Sequence, residues 1–342
     1  MDQKFLRDIK MNLSKRTIYS KTSYPYYIFT SDIHGNINTL PLIKQAMQDF
    51  PKAQLVGGGD YIDGRKNAKK VCDFLMKHAS NGAIILNGNH EEMMINFADG
   101  HDIYELGYEP LWYANGGKKT MRSFLGRGYA KPKTAKMLQQ TVYYDFFKDR
   151  PIMYVTPHII FVHGGIKPIA DFDNDQRYTD VRGNNEELNL TNYDFYRLWS
   201  RESYWNTLNL AKDQTKLPEK PQGFTIENGK IYLKQFAHNQ TKHVIVTGHT
   251  PTTYIKGVFD DGRIMNDVPQ SNCIIRVVQY PQESARIFTD GGCHSQLPHN
   301  YGNVTVLDQY GHIVKVYDYK HQSGIAWQDY IVENKHKRIF GK

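Results

Sequence analysis

Apolar positions along the chain fall into two periods. Short apolar runs at Tyr26–Thr30, Gln54–Val56, Ala83–Leu86, Ile159–Val162 and Val244–Val246 predict buried strands. After the first run, Leu40, Ile43, Met47 and Phe50 recur at helical spacing; Val71, Phe74 and Leu75 do so after the second. Strand, loop and helix thus alternate through residues 26–91. By pattern alone this predicts a mostly parallel α/β sheet with polar loops at the C-terminal strand ends. Residues 98–150 are rich in helix formers and aromatics, broken at Gly116-Gly117, and read as a helical insertion covering those ends. Residues 167–190 read as a polar loop, 193–205 as helical at the start, and 212–242 as polar and rich in Lys and Gln. Closely spaced strands near 272–279, 284–289, 303–307 and 312–317 predict an antiparallel second sheet.

The length of 342 residues suits one large domain with insertions, and 40% hydrophobic residues argue against disorder. The net charge of +8 sits mainly at the ends: +4 in a basic N-terminal extension (1–22) and +3 in a basic C-terminal tail (320–342), leaving +1 for the body, 23–319. Such ends read as solvated tails, and no RNA- or DNA-reading motif accompanies them. Cys72, Cys273 and Cys293 form no CxxC pair, and three cysteines make a poor disulfide framework. There is no membrane-spanning apolar run and no apolar core in residues 1–22 of the kind a secretory signal needs. The expectation is a cytoplasmic protein without a membrane partner; the oligomeric state is open.

The chemistry lies at the strand ends. Each of the five strands runs into a glycine-bounded cluster: Asp32/His34, Asp60, Asn89/His90, His163 and His249. Glycine beside a ligand lets the backbone turn sharply and approach an ion. Asp32, Asp60, Asn89, His34, His163 and His249 offer two carboxylates, one amide and three imidazoles. That mixture of O and N suits Mn, Fe, Zn or Co better than Mg or Ca. Six ligands exceed what one tetrahedral ion needs, whereas two ions sharing a carboxylate would use them all. Ions roughly 3.5–4 Å apart can clamp both oxygens of an in-line displacement at phosphorus. His78, His101, His158, His243, His294 and His299 lack that glycine context and read as structural. Cys293 reads as a small buried hydrophobe.

Ser31-Asp32-Ile33-His34-Gly35-Asn36, Gly59-Asp60-Tyr61-Ile62-Asp63-Gly64-Arg65, Gly88-Asn89-His90-Glu91, His163-Gly164-Gly165 and Gly248-His249-Thr250, in that order, resemble the motifs of calcineurin-like metallophosphoesterases. The likeness is strongest to the branch of serine/threonine phosphoprotein phosphatases and symmetrical diadenosine tetraphosphatases. Trp112–Gly117, Leu198–Glu202 and Thr289–Cys293 also resemble bacterial members. The resemblance implies a sandwich of two mixed sheets flanked by helices, which modifies the simple parallel sheet. It implies two divalent transition-metal ions, manganese first, with Fe, Zn, Co or Ni as alternatives. Asp32 and His34 would hold one ion, Asp60 would bridge, and Asn89, His163 and His249 would complete the other. A metal-bound hydroxide would attack phosphorus. His90 would protonate the leaving oxygen, oriented by Asp63, and Arg65 and Arg201 would grip the phosphate. One departure stands out: the family usually reads Asp-Arg-Gly where this chain reads Asp63-Gly64-Arg65.

The implied substrate is a phosphoprotein, a nucleotide or a small phosphate ester. Asp63 favours phosphomonoesters, since the diadenosine hydrolases tend to lack that carboxylate; symmetrical bis(5'-nucleosyl)-tetraphosphate hydrolysis is the alternative, and a sugar bisphosphatase a third. A catalytically silent RNA-binding module is the rival from another class, and the intact ligand set argues against it.

Overall fold

Alternation along each strand decides which core it feeds. In β2 (Tyr26–Thr30), Tyr27 and Phe29 face one core and Ile28 the opposite one. In β8 (Ile159–Val162) and β12 (Val244–Thr247), Ile159, Phe161, Val244 and Val246 join Tyr27 and Phe29, while Ile160, Val162 and Ile245 face outward to a third cluster. Such period-two sorting means two sheets pack face to face over Tyr27, Phe29 and Phe161. The Phe161 ring lies 5.3 Å from Tyr27 and 5.4 Å from Phe29. Removing so buried a ring costs roughly 3–5 kcal/mol.

The computed structural model describes residues 16–101, 104–105, 109–126, 131–167, 169–171, 192–200, 205–210, 214–215, 224–236, 238–252, 275–294 and 302–336. One sheet has the order β1 (Thr17–Tyr19), β7 (Met153–Val155), β8, β12, β14 (Arg286–Phe288), β13 (Arg276–Val278). Its β8, β12 and β14 are parallel, with β7 antiparallel to β8 and β13 antiparallel to β14. The other has the order β17 (Ile325–Ala326), β16 (Ile313–Tyr317), β15 (Val304–Asp308), β2, β3 (Gln54–Gly57), β4 (Ile84–Ile85). There β2, β3 and β4 are parallel and β15 runs antiparallel to β2. Both sheets are mixed. The four late strands do not build a separate antiparallel sheet: β13 and β14 extend one sheet, β15 and β16 the other. Spacing predicted the hairpins; the partner of each is set by which core its apolar face completes.

Helices α1 (Thr39–Asp49), α2 (Ala68–Ala79) and α3 (Asn89–Asp99) cover the outer face of the β2–β4 sheet. A hairpin of β5 (Tyr104–Glu105) and β6 (Glu109–Pro110) precedes α4 (Leu111–Ala114), α5 (Gly117–Leu125), α6 (Lys131–Gln139) and α7 (Val142–Lys148), whose apolar sides join the same core. Helix α8 (Asn192–Trp199) follows, and α9 (Trp327–His336) lies near the C-terminus, with Tyr330 buried against the inter-sheet core. In the basic N-terminal segment, β1 pairs in parallel with β7, and the Arg16 guanidinium bonds the Glu92 carboxylate.

Residues 212–242, read only as polar, hold most of an additional three-stranded sheet of β9 (Trp205–Leu210), β10 (Phe224–Glu227) and β11 (Lys230–Phe236). The turn between β10 and β11 is Asn228-Gly229, with φ of +49° and +74°, the two-residue hairpin signal that the Lys/Gln content obscured. Most of the expected loop at 167–190 lies outside the described residues, as do Arg201, Cys273 and His299.

Candidate metal centre

Strands β2, β3 and β4 of one sheet and β8 and β12 of the other end beside one another. The candidate site therefore draws on both sheets, not on the rim of one. Asp32 and His34 follow β2, Asp60 follows β3, Asn89 opens α3 after β4, His163 follows β8 and His249 follows β12. All six side chains are buried. The ligand-capable atoms of Asp32, His34 and Asp60 lie within 4.8 Å of one another, as do those of Asp60, His163 and His249; Asp60 belongs to both groups. Asn89 joins the second group through Oδ1, 2.9 Å from His163 Nε2.

The backbone is forced to make this arrangement. Among the described residues seven non-glycines have positive φ, and five are at this site: Asp32 (+52°), His34 (+47°), Asp60 (+58°), Asp63 (+67°) and His249 (+64°). Left-handed backbone costs such residues roughly 1–3 kcal/mol each and persists where surroundings over-determine it. Here loop-to-loop bonds do so: Asp32 N–H donates to the Gly59 carbonyl at 2.9 Å and His34 N–H to that of Asp60 at 3.0 Å. Glu91 grips the Asp60 turn, accepting from the N–H groups of Asp60 and Tyr61 at 2.8 Å and of Gly88 at 2.9 Å. Glycine is obligatory at two contacts: a Cβ at Gly88 would overlap the Asp60 carboxylate, and one at Gly248 that of Asp32.

Each of the three histidines turns one ring nitrogen to a backbone carbonyl. His34 Nδ1 lies 2.9 Å from the Ile62 carbonyl and His163 Nδ1 2.9 Å from that of Gly58, so both turn Nε2 toward Asp60, at 3.6 and 3.2 Å. His249 Nε2 faces the Trp199 carbonyl at 3.1 Å, leaving Nδ1 for the cluster. Carbonyls fixing the far nitrogen are the usual support of metal-binding imidazoles. The mixed O/N donor set, the shared Asp60 and the glycine cradles fit two transition-metal ions.

The electrostatics of the cluster are strongly coupled. Burial and the nearby Asp290 raise the Asp32 carboxyl well above its ordinary value. Burial disfavours charge on Asp60 too, but His163 and His90 outweigh it and hold that carboxyl well below the usual range. Burial also disfavours the His163 and His90 cations, yet Asp60 lifts each ring to about 9, for His90 with help from Asp63.

His90 stands beside the cluster, its Nε2 3.8 Å from Asp60 Oδ2. Its Nδ1 meets Asp63 Oδ2 at 2.7 Å. Asp63 is fully buried and is held by Thr120 Oγ1 at 2.6 Å and Trp112 Nε1 at 3.1 Å. Trp112 and Thr120 come from the helices after residue 98, whose Gly116 leaves room for the Asp63-Gly64 turn: a Cβ there would sit 2.9 Å from Gly64 N. Arg65 is half-buried, its N–H donating to the His34 carbonyl at 3.0 Å. Cys293 is buried, as expected, and burial pushes its thiol up to about 12.

Three neighbours of the cluster lie outside the site residues that the sequence singles out: Trp112 and Thr120 as partners of Asp63, and His294. Sequence context makes His294 a structural histidine, but its ring centroid lies 4.8 Å from that of His34 and 5.1 Å from that of His90. The sequence does carry a signal: β14 is followed, after Thr289, by Asp290-Gly291-Gly292, a strand-end glycine context like that of the other clusters.

The sequence profile of the calcineurin-like phosphoesterases matches residues 26–282, about three quarters of the chain. No curated protein matches the chain significantly. Solved structures that align with it include a candidate diadenosine tetraphosphatase (14% identity, 89% of this chain and 97% of that one, TM-score 0.44). A cold-active protein-tyrosine phosphatase of a psychrophilic Shewanella aligns at 15% identity over 91% of this chain and 82% of its own, TM-score 0.46. A protein serine/threonine phosphatase of Saccharomyces cerevisiae with similarity to human phosphatase PP5 aligns at 16% identity over 95% and 89%, TM-score 0.42. Among the described residues no helix is long and apolar enough to cross a membrane.

Proposed function

The chain belongs to the calcineurin-like phosphoesterase family and is a metal-dependent phosphoester hydrolase, and we propose that its substrate is a phosphomonoester, with a phosphoprotein as the leading carrier. The observation that carries this reading is the His90–Asp63 pair at 2.7 Å, set beside Asp60. When the P–O bond of a monoester breaks, its alcohol departs as an alkoxide or phenoxide, which takes up a proton; a buried imidazole braced by a carboxylate is built to give one. His90 holds that proton on Nε2, and Asp63 fixes ring and tautomer through Nδ1. Trp112 and Thr120 hold Asp63 in turn, so the acid is positioned by a chain of hydrogen bonds.

Asp32 and His34 would hold one ion, Asn89, His163 and His249 the other, and Asp60 both. Such ions, manganese first, would supply Lewis acidity toward water and phosphate when bound. Arg65 and Arg201 are the proposed phosphate clamp, a task suited to guanidinium. Manganese-loaded protein should hydrolyse p-nitrophenyl phosphate and a phosphoserine peptide faster than diadenosine tetraphosphate or fructose bisphosphate. Preference for diadenosine tetraphosphate would overturn the monoester reading and leave the hydrolase in place.

A further inference from the structure

The Asp63-Gly64-Arg65 order removes a side chain from a crowded place. A Cβ at Gly64 would lie 3.2 Å from His34 Cβ and 3.5 Å from both Cα and Cδ2 of His294. The arginine that the family order puts directly after the aspartate would therefore emerge against the His294 ring. In this chain glycine stands there, with φ of +65°, and His294 occupies the adjoining space.

His294 is also the outermost member of a histidine stack. Its ring meets His34 edge-on at 71° and His90 at 50°. His34 and His90 are 2% and 6% exposed, whereas His294 is exposed. Its Nε2 lies 3.3 Å from the Asn115 carbonyl, which ties it to the loop that also packs on Gly64. A phosphate reaching the cluster from the His294 side passes this ring, whose Nε2–H points at the Asn115 carbonyl at 3.3 Å and would turn from that long contact to a phosphoryl oxygen.

We propose that His294 is a substrate-binding residue that donates a hydrogen bond to a phosphoryl oxygen, taking the place left by the displacement of arginine from position 64 to 65. The proposal rests on the phosphoesterase site described above, and it concerns the phosphoryl group that any substrate of that site presents. His294 adds a contact; the metal set and the His90–Asp63 acid remain as they are.

The test is calorimetric binding of inorganic phosphate to the manganese-loaded protein, alongside hydrolysis of p-nitrophenyl phosphate. His294→Ala should weaken phosphate binding about tenfold, the loss of one charge-assisted hydrogen bond. It should raise KM for the aryl phosphate by a similar factor and change kcat less than about threefold, with manganese content and Tm unchanged. His294→Arg, which supplies a donor to the same place, should restore phosphate affinity to within about threefold. Unchanged phosphate affinity in His294→Ala would overturn the proposal. So would loss of manganese, which would make the ring a metal ligand, or a fall in kcat alone, which would make it a support for His90. Because phosphate binding is read without turnover, wild-type protein that binds phosphate but ignores aryl phosphate sinks the monoester reading and leaves the role of His294 decided separately.

Discussion

His90 Nδ1 and Asp63 Oδ2 lie 2.7 Å apart, and Asp63 has no exposed surface. Burial raises the Asp63 carboxyl, and the hydrogen bond from His90 opposes that rise. The pair is thus one unit: the carboxylate keeps its charge by bonding the ring, and the ring keeps its proton beside the carboxylate. His90→Asn should retain metal and slow hydrolysis of alkyl phosphates, poor leaving groups, at least about tenfold more than that of p-nitrophenyl phosphate. Leaving-group dependence equal to wild type removes His90 as the acid. Asp63→Asn should shift the same dependence in the same direction, because it acts through His90.

Glu91 is a structural clasp. Its carboxylate accepts backbone N–H groups from Asp60, Tyr61, Ile62 and Gly88, which holds the left-handed Asp60 in place. Glu91→Gln keeps the volume but turns an NH2 group against backbone donors. Unfolding of the metal-free protein should show a loss of about 2–3 kcal/mol. A change below about 0.5 kcal/mol would contradict the clasp.

Metal binding should expel protons. In the protein without ions, Asp60 overcomes burial and lifts His163 to about 9, so the ring is protonated at neutral pH. A ligating imidazole must be neutral. Manganese binding at pH 7.5 should therefore release about one proton from His163, and apparent affinity should rise with pH up to about 9. Calorimetry in buffers of different ionisation enthalpy reads this directly, and zero release counts against His163 as a ligand. The stability sign is opposite. A histidine raised from 6.5 to about 9 stabilises the metal-free fold fully below about pH 6.5, and that contribution is lost as pH rises through about 9.

The glycine cradles should be intolerant of one methyl group. Gly88→Ala places its Cβ on the Asp60 carboxylate. Metal analysis of the purified variant should show less than half the wild-type manganese while circular dichroism stays native. Full metal content would mean that the carboxylate has room to move.

Much of this site was written into the strand ends. Asp32, Asp60, His163 and His249 stand out as candidate ligands because a side chain aimed at an ion from a sharp turn needs glycine nearby, and glycine is visible in sequence. Sheet membership was not legible: a run such as Val244–Val246 declares itself a strand, but only the burial of Val246 in one cluster with Phe29 and Phe161 declares its layer. The β10–β11 hairpin is hidden in sequence although Asn228-Gly229 lies between its two runs, because the surrounding lysines and glutamines read as solvent-facing. His294 is inconspicuous in sequence because its glycines stand at 291 and 292, with Cys293 between them and the ring. Trp112 and Thr120 lie 49 and 57 positions from Asp63, and no local pattern reports a contact at that range.

The most direct test is a manganese titration of metal-free protein, with p-nitrophenyl phosphate hydrolysis followed at each step, for wild type and Asp60→Asn. Two ions bridged by Asp60 predict no hydrolysis without metal, activity that rises to its maximum with the second equivalent, and at least about a hundredfold loss in Asp60→Asn together with reduced metal uptake. Hydrolysis that needs no metal, saturates with one ion, or survives in Asp60→Asn would contradict the account.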